Sequence, residues 1–88
     1  MNDQEFITGV AIIVDSKIYQ LPKPNRHHHC IHLAYTQLKK QIITDSQGFM
    51  TSKGRYVSRE EALKIAKQAN QLLDRHNHPT QLFSESVW

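Results

Sequence analysis

The chain has 88 residues, so it supports one small hydrophobic core and a single domain spanning 1–88. One cysteine, Cys30, excludes an internal disulfide and paired-thiolate zinc sites, and the longest apolar run, "GVAIIV", is far too short to span a bilayer. Lysine and arginine exceed aspartate and glutamate by 11 to 8, a formal charge of +3 with six histidines in reserve, which favours anionic partners.

In chain order, "FITGVAIIVDSKIYQL" predicts a β-hairpin turning at "DSK", although the turn lacks Asn-Gly or Asp-Gly. Pro22 and Pro24 then end the second strand. Asn25 reads as an N-cap, and Ile31, Tyr35, Leu38 and Ile42 follow at helical spacing, with Lys39 and Lys40 near the helix end. "GFMTS" and "RYV" predict a short ribbon turned at Gly54. Ser58 and Glu61 form a capping-box signature for a second helix, with Ala62, Ile65, Ala66, Ala69 and Leu72 or Leu73 as its apolar stripe. "DRHNHPT" breaks that helix, and the aromatic "QLFSESVW" segment is expected to dock. The fold class is α+β: a small antiparallel sheet with two helices. At this size, self-association into a homodimer or higher oligomer is the expected means of adding stability.

Among chemical candidates, His28 and His32 share a helix face and His76 and His78 lie close in the chain, but no carboxylate accompanies the helical pair in a metalloprotease pattern. No metal and no cofactor is expected. Cys30 is more readily a small core residue than a nucleophile, and no phosphate-binding glycine loop occurs. Anion binding has better material. Arg26, His27 and His28 stand at one helix start, and Arg55 and Arg59 flank the other, giving a pair of candidate phosphate clamps with Phe49 available to stack on a base.

The stretches "KIYQLPKPNRHH", "GFMTSKGRYVSREEALKIAKQANQ" and "LFSESVW" resemble a family of short bacteriophage and prophage proteins. Members read Pro-x-Pro-x-Arg-His-His, then Gly-Phe-x-Thr-Ser-x-Gly-Arg-Phe-Val-x-Arg-x-Glu-Ala, and end in Leu-Phe-Ser-Glu-Asp-Leu-Trp. A related branch contains the anti-Thoeris sponges, which sequester the cyclic ADP-ribose isomers made by bacterial TIR enzymes. Some relatives take cyclic oligonucleotides of the CBASS system. The resemblance implies a non-enzymatic counter-defence protein of the host bacterial cytosol, oligomeric, with ligand enclosed between protomers. It implies Phe49 for base stacking, Arg26, Arg55 and Arg59 for phosphate, and His27, His28 and Thr51 as further contacts, with Ser84 and Glu85 as lesser ones. Phe49 and Arg59 are accordingly expected to be removable without loss of the fold. The chain departs from the pattern at Ser58 (commonly Asp), Asn70 (Gly) and Ser86 (acidic). The alternatives are a small nucleic-acid-binding regulator and a nucleotide-cleaving enzyme using histidines as acid and base. Against the first, lysine and arginine are interspersed with acids, as in "SREEALK", rather than gathered on one face.

Overall fold

A computed structural model describes residues 4–73 and 78–88. It contains a four-stranded antiparallel sheet and two helices, the α+β class expected. Strands β1 (Ile7–Val14) and β2 (Lys17–Pro22) form the first hairpin. Its two-residue turn places Asp15 and Ser16 at φ 51° and 65°, the doubly left-handed geometry that matches strand twist, so Asp-Ser does here what Asn-Gly commonly does. Strands β3 (Ser46–Thr51) and β4 (Tyr56–Ser58) form the ribbon, with Gly54 at φ 73° in its turn. The ribbon joins the first hairpin rather than standing apart: the order is β2-β1-β3-β4.

Cross-strand register assigns the faces. Val10 stands opposite Leu21 and Phe49, and Phe49 opposite Val57, so these side chains share one face. Both helices cover it. Helix α1 (His27–Leu38) lies over β1 and β2, and α2 (Arg59–Gln68) over β3 and β4. The opposite face carries Ala11, Ile13, Ile18, Gln20, Gly48, Met50 and Tyr56, none of them charged. There Tyr56 leans across Gly48 to bond Ser46 Oγ at 2.5 Å, and a Cβ on Gly48 would stand only 2.7 Å from the tyrosine Oη.

Helix α1 departs from its predicted stripe. His27, Cys30 and Ala34 are its buried residues, while Tyr35 is exposed. The helix also ends earlier, at Leu38, because Lys39 adopts a left-handed conformation (φ 55°) and donates its N–H to Tyr35. Lys39 and Lys40 therefore follow the helix rather than complement its last turn, and Lys40 pairs with Asp15 in the hairpin turn at 2.8 Å. Its N-cap is Arg26; Asn25 instead bonds Pro22 O through its side chain.

Helix α2 buries Ala62, Leu63, Ile65 and Ala66. It stops in a Schellman arrangement: Asn70 sits at φ 60°, its N–H reaches Lys67 O, and the Gln71 N–H reaches Ala66 O. Asparagine is the residue besides glycine best suited to that conformation, which accounts for Asn70 at this point of the pattern. The Gln71 amide then bonds both the N–H and the carbonyl of Ile7, at 2.7 and 2.9 Å, as a neighbouring strand would. The final segment docks as expected. Leu82 is fully buried, Ser84–Ser86 make one short helical turn, and the Trp88 indole donates to Asn25 O at 2.9 Å.

Candidate functional site

The start of α1 is built around Arg26. Its backbone N–H donates to His29 Nδ1 at 2.9 Å, an imidazole filling the place of the capping-box carboxylate. No acidic residue occupies the first turn. The Arg26 Nη1 atom is buried and has no hydrogen-bond partner among the described residues. A guanidinium nitrogen held away from water without an acceptor is costly.

His27 faces inward. Its Nε2 lies 2.7 Å from Gly48 O; a carbonyl only accepts, so Nε2 carries the proton. The ring meets Phe49 edge-on at 4.9 Å. Burial, chiefly, lowers the imidazole to about 4; the Arg59 charge adds to this, while the Gly48 carbonyl and Glu85 oppose it. His27 is therefore neutral at pH 7 and holds helix to sheet. His28 and His29 are exposed, their rings 4.0 Å apart.

Phe49 is the largest fully buried side chain, wedged between His27 and Trp88, whose ring centre lies 6.3 Å away. In the folded chain it is a core residue and offers a ligand no face to stack on. The reason is its register: it shares a row with Val10 and Val57 beneath the helices.

Arg59 is half-buried and engaged within the chain. Its Nη1 donates to Leu82 O at 2.9 Å, its Nη2 to Gln47 Oε1 at 2.7 Å, and the guanidinium lies 4.7 Å from the Phe83 ring centre. The Leu82 N–H returns a bond to Arg59 O at 2.9 Å, so the residue ties the last segment to α2. Burial, above all, lowers its pKa, with Glu85 and Tyr56 acting the other way. Ser84 is buried, and its carbonyl receives the N–H groups of Val87 and Trp88. Glu85 is exposed, and its charge is felt by both His27 and Arg59.

Arg55 and Thr51 belong to a different neighbourhood. Arg55 grips Glu5 with Nε and Nη2 at 2.7 and 2.8 Å and reaches Glu61 at 3.1 Å, while Thr51 Oγ1 donates to the same Glu5 carboxylate. The Arg55 bond first, then the Thr51 bond, hold the Glu5 carboxyl down at about 2, and the Glu5 bond correspondingly raises Arg55. Ser58 caps α2 by accepting the Glu61 N–H at 3.2 Å, but the Glu61 carboxylate goes to Arg55 instead of closing the capping box.

The nine candidate residues thus divide. Arg26, His27, Phe49, Arg59, Ser84 and Glu85 belong to the region where the α1 start meets the last segment, with His28 exposed beside it; Thr51 and Arg55 are engaged by Glu5. Sequence reasoning missed Glu5, Gln47 and Asn25 as partners, since each contact joins residues distant in the chain. Among the described residues no three His, Cys, Asp or Glu side chains converge as metal ligands, and His76 lies outside them. The buried Cys30 thiol is pushed up to about 11 by burial and stays protonated at neutral pH. No helix among the described residues is long and apolar enough to cross a membrane.

Comparison with known proteins adds one match. Residues 6–88 fit the model of the family described as phage T4 y16D protein. No curated protein and no solved structure matches the chain. With nearly the whole chain covered by that match, this protein belongs to the phage T4 y16D protein family.

Proposed function

We propose that this phage-family protein binds and sequesters a cyclic nucleotide immune signal, a cyclic ADP-ribose isomer or a cyclic oligonucleotide, without cleaving it. The observation that carries the reading is the buried Arg26 Nη1, without a hydrogen-bond partner among the described residues, beside a helix start that has no carboxylate in its first turn. A phosphate oxygen there answers both the guanidinium and the helix dipole. His28 and His29 add exposed donors at the same end.

Capture without turnover is the reading we favour, and two of the neighbouring groups are unsuited to catalysis. His27 is committed to Gly48 and neutral, and Cys30 is a protonated core thiol. General acid–base chemistry needs a group poised near working pH and in reach of the ligand, which neither provides. The protein acts in the bacterial cytosol as a homo-oligomer. The charge-free sheet face supports that reading, since a twofold contact sets each residue near its own image and like charges would repel there.

The test is to incubate the protein with cyclic ADP-ribose isomers and cyclic oligonucleotides, denature it by heat and analyse what is released. Intact ligand is the expected result. An altered ligand identifies an enzyme, and no capture of any of them overturns the proposal.

A further inference from the structure

The fold removes the ring that the sequence offered for base stacking and leaves another facing solvent. Phe49 is 0% exposed, whereas Tyr35 on α1 is 53% exposed. His28, His32 and Tyr35 follow one another at steps of four and three residues, so they share a helix face. That face and the segment after the helix border a cleft of about 370 Å³, lined by His28, Ile31, His32, Tyr35, Gln41 and Ile42.

The lining has a definite chemistry. Ile31 and Ile42, packed against the core, form an aliphatic floor. Two imidazoles and a phenol supply π-faces, and the Gln41 amide carries donors and an acceptor suited to a base edge. No carboxylate lines the cleft to repel a phosphorylated ligand. Its volume lies at the lower end of the roughly 300–1,000 Å³ range of ligand sites, suiting one nucleoside rather than a whole cyclic oligonucleotide. From His28 to Tyr35 the helix rises roughly 10 Å at about 1.5 Å per residue, the span of a base with its sugar. The cleft also begins in the first turn of α1, which Arg26 caps. A second cleft, between α2 and Pro79–Thr80, offers Glu60, Lys64 and Lys67 but no ring.

We infer that the α1 cleft is the base subsite: it takes the planar heteroaromatic base of the ligand, with Tyr35 as the stacking ring and Gln41 at the base edge. This rests on the nucleotide reading above and assigns that ligand its place.

Calorimetric titration with cyclic ADP-ribose, cyclic di-AMP and cyclic tri-AMP tests it on the wild type, Tyr35→Ala, Tyr35→Phe and Lys64→Ala. Far-UV circular dichroism confirms that each variant is folded, which the exposure of Tyr35 favours. Tyr35→Ala is expected to weaken the tightest probe about 5- to 100-fold, while Tyr35→Phe, which keeps the ring, stays within about threefold. Lys64→Ala, in the other cleft, is expected to bind as the wild type does. Equal binding by the wild type and Tyr35→Ala places the base elsewhere and overturns the inference, leaving the nucleotide reading intact. Binding of none of the three probes overturns it together with that reading for adenine ligands.

Discussion

Helix α2 begins with its positive end answered from within the chain: Glu60 and Glu61 occupy the first turn, Ser58 caps it, and Arg55 nearby is held by Glu5 and Glu61. Helix α1 begins with a histidine run, no acid in its first turn, and an arginine nitrogen that finds no acceptor among the described residues. In sequence the two starts looked alike, each a helix opening flanked by arginine. The difference teaches that basic residues at a helix start are available to an outside anion only where the chain's own carboxylates leave them unanswered. Arg55 is answered; Arg26 is not.

The comparison is sharpened most forcefully from beneath α1. Phe49→Ala removes the buried ring on which His27 rests, and a loss of about 3–5 kcal/mol in unfolding free energy is expected from urea denaturation. An unchanged midpoint would show that the ring does not support the α1 start. Acid provides a milder lever. Because burial lowers His27 from 6.5 to about 4, the unfolded chain takes up the proton first. Stability is therefore full above pH 6.5 and falls as the pH drops toward 4, by at most about 1.4 kcal/mol per unit. His27→Gln, which keeps a donor for Gly48, is expected to flatten this dependence in thermal melts.

A paired substitution separates the two starts directly. Arg26→Ala is expected to weaken cyclic-nucleotide capture at least ~10-fold with little change in melting temperature. Ser58→Ala is expected to do the reverse, costing about 1 kcal/mol of stability and leaving capture unchanged. Capture that fails in Ser58→Ala but survives in Arg26→Ala would invert the assignment.

Much of the architecture was legible because it is written locally. A run rich in Ile and Val marked β1, Gly54 the turn between β3 and β4, and Ser58 the start of α2. Three features were hidden for physical reasons. The buried face of α1 is led by Cys30 and Ala34, small residues, so the predicted Ile31 and Leu38 lie at its edge, packed against the core, while Tyr35 faces solvent. The end of α1 depends on a left-handed lysine, a conformation that Lys39 does not advertise. Of the candidate site, the helix start at Arg26 was legible because it is local, whereas the engagement of Phe49, Arg55 and Arg59 within the chain was not. Their roles depend on register or on partners such as Glu5, 50 residues from Arg55 in sequence.

The clasp between Gln71 and Ile7 spans 64 residues, and that between Trp88 and Asn25 spans 63. Both join early chain to late chain, so neither β1 nor α1 acquires its full set of partners until the last quarter of the polypeptide exists. Folding is then governed by long loop closures, and native structure is expected to appear on a scale of about milliseconds to seconds, slower than in helical bundles of similar length. During synthesis the first hairpin waits with an incomplete core.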